Sequence, residues 1–327
     1  MGHSSFERIV GNVSAAEKEN IRREFDDQFD DQVFKALVEK ERAKTPEELR
    51  IIALANEATN KLRKEYGLDD FDVPAQNIHI IKEDEWPKHR DKEDAIYIPS
   101  MQGVLSREHE ANLVSMSRIL HEMVHFKSYT SAQVTESEQP ELMQYRSGLR
   151  VNTRDGKAGY FRNLNEAVTE EITIELMSKV LHDPLFEKEI KQTEDLGTRY
   201  PDAVTAGGKP LFNDDTYYAR FADKTTLKDK VGRLVGRERS RTISVAHFTY
   251  QRERKILNEL ITKLFERNAQ KFRSADEVAV LFTKGMMTGN ILPLGKLIDG
   301  TFGKGTLRKI GELDSDIAAQ EQFVESL

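Results

Sequence analysis

Residues 118–127 read RILHEMVHFK, and this stretch decides how the rest of the chain is interpreted. It contains His121, Glu122 and His125 in the pattern H-E-x-x-H. Residues four apart on an α-helix share one face, so the two imidazoles can reach the same ion. Zinc binds neutral imidazole nitrogens at about 2.0–2.1 Å and prefers a tetrahedral site. The Glu122 carboxylate can lie beside that metal without binding it and deprotonate a water molecule that the metal activates.

The residues around this motif have the periodicity of an amphipathic helix, which the ligand geometry requires. Histidine is scarce, with 8 in 327 residues, and roughly 0.02 chance occurrences of the motif are expected. The alternative interpretation is a histidine pair on a solvated helix face. The pattern predicts a helix over residues 110–129 whose apolar stripe consists of Leu113, Met116, Ile119, Leu120, Met123, Val124 and Phe126.

A catalytic zinc site has three protein ligands, so a third ligand must come from elsewhere in the chain. The chain has no cysteine, which restricts the choice to His, Asp or Glu. Residues 165–170 read NEAVTE within a helix predicted over residues 164–181. Glu166 and Glu170 share a helix face, so one could bind the metal while the other holds a ligand histidine by its second ring nitrogen. The alternative is a pair of solvated acids.

HEMVH followed by NEAVTE resembles the gluzincin group of zinc peptidases, to which thermolysin belongs. That group combines H-E-x-x-H with a later helix carrying N-E-x-x-x-D or a close variant. The resemblance implies that Glu166 is the third ligand and that Asn165 stands beside it. It also implies that Glu170, one methylene longer, replaces the aspartate that supports a ligand histidine.

The resemblance is confined to residues near 118–127 and 163–171. A looser similarity connects the chain with small uncharacterised bacterial metallopeptidases, in which a glycine-containing hairpin leads into a helix reading LNE..TE. Together these resemblances imply a zinc-dependent hydrolase of peptide or protein substrates, a metalloendopeptidase with Zn²⁺ as cofactor and Glu122 as general base. They also imply that the strand predicted near residues 95–100, which includes Tyr97, is an edge that pairs with substrate. An ordinary core-facing strand is the alternative.

Amide hydrolysis also needs a donor for the oxyanion that develops in the transition state. Four side chains beyond the second helix are candidates: Tyr217, Tyr218, His247 and Tyr250. Residues 244–265 have a helical pattern, which would place His247 and Tyr250 on one face three residues apart. We therefore prefer Tyr250 as the catalytic donor and His247 after it. A tyrosine buried at a helix interface is the alternative for either tyrosine.

The whole pattern predicts an α+β fold dominated by helices, with a zincin-like core in which a small sheet packs on the motif helix. We expect a helical N-terminal region over residues 1–70, a catalytic core over 71–195 and a helical C-terminal lobe over 196–327 that closes the cleft. The local patterns predict helical structure at 14–67, 227–235, 275–284 and 307–313. They predict strands at 77–82 and 95–99 and a hairpin at 142–162. They also predict a loop around Gly103, a long loop at 197–215, a turn-rich stretch at 285–305 and a polar tail.

Composition narrows the functional classes further. The net charge of −7 gives no basic surface for nucleic acid. The short apolar runs predict no transmembrane helix, and the N-terminus lacks the apolar segment of a signal peptide, so a cytoplasmic location is expected. Two alternatives remain open: a regulatory or toxin-like protease with one protein target, and a zinc-binding interaction protein without turnover. The sequence leaves the oligomeric state open.

Overall fold

The computed structural model describes residues 8–30, 40–90, 93–99, 102–136, 142–205, 207–222 and 242–327. These residues form the predicted α+β fold, in which helices dominate. The helices are α1 (Ala15–Asp30), α2 (Pro46–Glu65), α3 (Asn112–Lys127), α4 (Arg162–Val180), α5 (Glu187–Arg199), α6 (Gln251–Arg267), α7 (Ala275–Thr288), α8 (Leu292–Phe302), α9 (Thr306–Glu312) and α10 (Ile317–Glu325). The strands are β1 (Arg8–Val10), β2 (Ile78–Ile81), β3 (Ala95–Ile98), β4 (Gly103–Arg107), β5 (Thr130–Val134), β6 (Leu142–Ser147), β7 (Arg150–Asn152), β8 (Gly159–Tyr160), β9 (Thr216–Ala222) and β10 (Thr242–His247).

The strands form three small sheets. One has the order β2-β4-β3, with β4 parallel to β2 and antiparallel to β3, so β3 is an edge strand. A second has the order β1-β5-β6-β7-β8, in which only the β1–β5 pair is parallel. The third is an antiparallel ribbon of β9 and β10.

Helix α3, which carries the H-E-x-x-H motif, lies at the centre of the molecule. Every residue of α3 from Leu113 to Lys127 is buried except Arg118. It packs against α2, α4, β3 and β4. The same hydrophobic core contains Ile51 of α2 and Val324 of α10, so side chains from all three predicted regions meet in one core. No helix in the described ranges combines the length and apolar composition needed to cross a bilayer.

A capping box marks the start of α2. The Thr45 side chain accepts a hydrogen bond from the Glu48 N–H, and the Glu48 carboxylate accepts one from the Thr45 N–H. Pro46 occupies the first helical turn, where its missing N–H costs nothing. Such reciprocal capping satisfies two donors that the helix itself cannot pair. The helical pattern predicted over 14–67 corresponds to α1 and α2, and residues 31–39 between them lie outside the described residues.

Several predictions in the C-terminal part are wrong. Residues 244–265 are not one helix, because residues 242–247 form β10 and α6 begins at Gln251. The alternating sequence Thr242–Val245 fits a strand as well as a helix, and pairing with β9 decides the outcome. The C-terminal lobe therefore begins with a β-ribbon. The helix predicted over residues 227–235 lies outside the described residues.

Other boundaries also differ from the predictions. Gly103 is the first residue of β4, and the predicted polar tail contains helix α10. The predicted hairpin over 142–162 is a three-stranded meander, with a tight turn at Gly148 between β6 and β7. The turn-rich stretch contains α8, and α5 extends into the predicted long loop.

Lys127, the last residue of α3, has a buried amino group that should lower the stability of the folded chain. Its side chain is buried, and its Nζ donates to Asn60 Oδ1 at 2.9 Å and to the Asn56 carbonyl at 3.3 Å. Burial lowers the pKa of Lys127 to about 7. Below that pH the folded protein holds a buried charge, which is costly. Lys127→Met should raise the free energy of unfolding at pH 7 by about 1–3 kcal/mol, because Asn60 Oδ1 still accepts from the Phe71 N–H.

Urea unfolding at pH 7 and pH 9.5 would measure this effect. The pKa of Lys127 is lower in the folded chain than in the unfolded chain, so the unfolded chain binds more protons between these pH values. This residue therefore makes the parent more stable as pH rises through that window, and Lys127→Met should lose this rise. A Lys127→Met variant less stable than the parent at pH 7 would show that the two hydrogen bonds outweigh the cost of burial.

Candidate metal centre

Two neighbouring helices bring together the three predicted metal ligands. His121 and His125 lie on α3, and Glu166 lies on α4. One carboxylate oxygen of Glu166 is 3.2 Å from Nε2 of His125 and 3.5 Å from Nε2 of His121. The three candidate ligand atoms all lie within 4.8 Å of one another. Both histidines are buried, and Glu166 is partly buried.

The two distances from Glu166 are compatible with neighbouring ligands of one metal ion. With metal–ligand bonds of 2.0–2.1 Å, neighbouring ligand atoms in a tetrahedron are about 3.3 Å apart. The two distances from Glu166, 3.2 and 3.5 Å, bracket that value. Two imidazoles and one carboxylate form a common ligand set of catalytic zinc, which leaves a fourth position for substrate or water.

The second nitrogen of His121 has a carboxylate partner. Nδ1 of His121 lies 2.7 Å from Oε2 of Glu170, which is buried one helical turn after Glu166. Because a carboxylate can only accept, Nδ1–H is the donor in this bond. The other ring nitrogen, Nε2, therefore faces Glu166 and the candidate metal position, where a bound metal would replace its proton. The Glu170 carboxylate, although one methylene longer than the expected aspartate, lies within hydrogen-bond distance of His121, as the predicted supporting role requires.

His125 is supported by the start of α4. Its Nδ1 lies 3.4 Å from both Thr169 Oγ1 and Asn165 Nδ2. The Thr169 hydroxyl donates to the Asn165 carbonyl, so its oxygen can accept from Nδ1–H of His125. Asn165 Oδ1 accepts the Leu149 N–H at 2.8 Å, which anchors this helix to the β6–β7 turn. A Cβ on Gly148 would stand 2.5 Å from Asn165 Oδ1, so this contact requires glycine.

The electrostatics of the cluster favour a cation between the imidazoles. Burial alone would lower the pKa of His121, but Glu166, Glu170 and Glu122 hold that pKa well above its usual value. Burial alone would raise the pKa of Glu166, but the imidazoles of His125 and His121 hold it well below its usual value. Three carboxylates thus surround two imidazoles, and positive charge is stabilised at their centre.

Glu122 lies next to the candidate metal position without joining the three ligands. Its carboxylate accepts the backbone N–H of Tyr97 at 2.6 Å, which ties it to the edge strand β3. Burial raises the pKa of Glu122, and the imidazoles of His121 and His125 oppose the rise. A carboxylate with a raised pKa is suited to accepting and returning a proton near neutral pH.

Tyr250 contacts the same cluster through both its ring and its hydroxyl. Its ring stacks on that of His121, with centroids 5.5 Å apart and planes inclined by 14°. Its hydroxyl hydrogen-bonds to Glu166, and burial, followed by the surrounding carboxylates, raises the pKa of Tyr250 far above its usual value. The hydroxyl therefore stays protonated and can donate.

The backbone at Tyr250 is held in an uncommon conformation. Its φ is +53°, in the left-handed region that side-chain-bearing residues rarely adopt. The preceding residue, Thr249, donates both its N–H and its hydroxyl to Oε1 of Glu170. Glu170 thus holds His121 with one oxygen and the Thr249–Tyr250 turn with the other. Backbone strain of this kind is often found where a functional group must be positioned.

A cavity of about 530 Å³ opens onto this cluster. Its walls come from α3, the beginning of β3 and the β9–β10 ribbon, and Tyr218 and His247 are among the lining residues. His247 Nε2 donates to the Leu211 carbonyl at 2.9 Å, so this histidine is already engaged. The Tyr217 hydroxyl bonds to Ser117, and burial raises the pKa of Tyr217 to about 12.

The structure thus brings together most of the residues that the sequence singled out. Seven of them form one cluster: His121, Glu122, His125, Asn165, Glu166, Glu170 and Tyr250. His247 lies in the cavity wall, and it ends β10 instead of sharing a helix face with Tyr250. Sequence reasoning missed Thr169 and Thr249. Thr169 could have been found from its position three residues after Glu166 on the same helix.

Comparison of the chain with protein-family profiles, with curated proteins and with solved structures finds no match. The geometry and chemistry of the cluster are therefore the observations that bear on the function of this chain.

Proposed function

We propose that this chain is a zinc-dependent metallopeptidase whose metal is held by His121, His125 and Glu166. The observation that carries the proposal is the position of one Glu166 oxygen, 3.2 and 3.5 Å from two Nε2 atoms that share a helix face. The Glu122 carboxylate and the Tyr250 hydroxyl, both next to this cluster, support it. A metal ligand set, a base and an acid donor are the parts that metal-assisted amide hydrolysis requires.

When bound, zinc supplies a Lewis acid that polarises the scissile carbonyl and makes the attacking water more acidic. Glu122 takes the proton from that water and delivers it to the leaving amine. The Tyr97 N–H keeps the Glu122 carboxylate in place during both transfers. Tyr250 donates its hydroxyl hydrogen to the developing oxyanion, and its high pKa keeps that hydrogen in place.

The site also favours a peptide bond as the group that is cleaved. The base is hydrogen-bonded to the Tyr97 N–H on the side of β3 that faces away from β4, and an edge strand can pair with an extended peptide backbone. A peptide lying along β3 would therefore carry its carbonyl groups past the base.

Metal content measured together with proteolysis tests the proposal. We expect one zinc ion per chain by elemental analysis and hydrolysis of casein that stops with a chelator and returns with added zinc. A chain that binds no zinc under these conditions would refute the proposal. Stoichiometric zinc with no cleavage of casein or of proteins in a cell lysate would favour the interaction protein instead.

Tyr250→Phe should lower kcat by about 10²–10³-fold with little change in KM, because the oxyanion loses its donor. All three ligands remain, so zinc content measured at saturating zinc should stay at the parental level, although the lost bond to Glu166 can weaken the affinity. Steady-state hydrolysis of a labelled protein substrate measures the effect.

Tyr217→Phe is the matched control, because this hydroxyl lies in the same cavity but is bonded to Ser117. We expect Tyr217→Phe to stay within a few-fold of the parent. Equal losses in the two variants would mean that Tyr250 has no special role in the reaction.

A further inference from the structure

Strand β10 forms one wall of the candidate active-site cavity. Four consecutive residues line it: Ser244, Val245, Ala246 and His247. Since neighbouring side chains of a strand point to opposite faces, a run of four lining residues means that the strand presents its edge to the cavity. The pairing of β10 with β9 determines which of its backbone groups lie on that edge.

The direction of the Val245 backbone groups follows from the bonds that its pairing partner makes. Val245 stands opposite Ala219 of β9. The Ala219 N–H donates to Thr193 Oγ1 at 3.0 Å, and its carbonyl accepts from Gln192 Nε2 at 3.2 Å. Both partners lie on α5, so both backbone groups of Ala219 point away from β10. Residues directly opposite each other in an antiparallel ladder either exchange both bonds or both face away. The N–H and carbonyl of Val245 therefore face away from β9, along the outer edge of the ribbon.

A second strand edge, that of β3, contributes to the lining of the same cavity. The Asp94 carbonyl accepts from the Arg107 N–H, so Asp94 faces β4, and the Tyr97 N–H donates to Glu122, so Tyr97 faces the other way. Ala95 shares the direction of Tyr97 because backbone groups alternate along a strand. Ala95 lines the same cavity as Val245.

We propose that Val245 supplies a second backbone-binding edge, and that the substrate is a polypeptide held in extended form between β3 and β10. This inference rests on the proposed peptidase function and adds the second edge that binds its substrate. The contacts are main-chain hydrogen bonds, which recognise an extended chain whatever its side chains. Strand β10 continues directly into Thr249 and Tyr250, so a chain paired with Val245 lies beside the donor for the oxyanion.

Val245→Pro tests the proposal with Val245→Ala as its matched control. Proline removes the N–H that faces the cavity and breaks no bond to β9, and edge strands tolerate such a proline. Relative to Val245→Ala, we expect kcat/KM on labelled casein to fall about 5- to 10-fold, mainly through KM, for the loss of one hydrogen bond. Zinc content and circular dichroism should not change.

Ile243→Pro provides a second control, because Ile243 lies two residues earlier on the same edge but does not line the cavity. We expect it to stay near the parental kcat/KM. Equal losses in Val245→Pro and Ile243→Pro, or no difference between Val245→Pro and Val245→Ala, would overturn the inference. A parent that binds zinc and cleaves casein in the same assays would keep the proposed function intact, whereas an inactive parent would remove it.

Discussion

Glu122→Gln is expected to lower the rate of peptide hydrolysis by about 10²–10⁴-fold, the usual contribution of a general base. Glutamine has nearly the same shape as glutamate, and its Oε1 can still accept the Tyr97 N–H that now binds the carboxylate at 2.6 Å. It cannot accept a proton from water at neutral pH. The variant should therefore keep its fold and its zinc while losing the proton transfer.

The measurement is the steady-state rate on casein beside zinc stoichiometry by elemental analysis. Glu122→Asp adds a test of position, because the shorter side chain withdraws the carboxylate from both the Tyr97 N–H and the reacting water. We expect Glu122→Asp to retain zinc and to be strongly impaired, since a small misplacement of a reacting group costs about 10²-fold. A Glu122→Gln protein that matches the parental rate would exclude Glu122 as the base.

The two residue pairs of the cluster could be predicted from sequence because the geometry within each pair is local. His121 and His125 share a face of one helix, and so do Glu166 and Glu170, whatever the rest of the chain does. That α3 and α4 pack against each other could not be read from the periodicity of either helix. The sequence indicates this packing only through the need of zinc for a third ligand, the lack of cysteine and the resemblance to the gluzincins.

Tyr250 shows where this kind of inference fails. The residue was selected correctly as a neighbour of the cluster, but for the wrong structural reason. The predicted helix would have placed it one turn from His247, whereas it follows β10 in a left-handed conformation. That conformation depends on Thr249 bonding to Glu170, which lies 79 positions earlier in the chain. A contact of that separation leaves no periodic signal.

Strand pairing was predicted poorly for the same reason. The parallel pairs β1–β5 and β2–β4 join segments that are far apart in sequence. In contrast, α10 was missed although its signal is local. Asp316 caps the helix by accepting the Ala319 N–H, and Ile317, Gln320 and Val324 follow at helical spacing on the buried or partly buried face. The polarity of the tail concealed a short amphipathic helix.

Glu166→Gln is expected to weaken zinc binding by more than about 100-fold, because substitutions that only support a ligand already cost 10–100-fold. The change removes the negative charge that lies 3.2 and 3.5 Å from the two imidazole nitrogens. His121→Ala and His125→Ala should lose the metal as well, since each removes one ligand of three. Competition with a fluorescent zinc chelator measures the affinities.

Two further glutamates of α4 turn this prediction into a graded series. Glu170→Gln keeps an acceptor for Nδ1 of His121 but loses its charge, so we expect an intermediate loss of 10–100-fold. Glu175→Gln makes the same charge change on the solvent-exposed face, where Glu175 pairs only with Lys179 among the described residues, and it should bind zinc like the parent. The alternative is a cluster in which protonated His121 and His125 are hydrogen-bonded to the glutamates and no metal binds. In that case neither the parent nor any variant would bind zinc. Equal zinc affinity in Glu166→Gln and Glu175→Gln would exclude Glu166 as a ligand, because position on the helix would then make no difference.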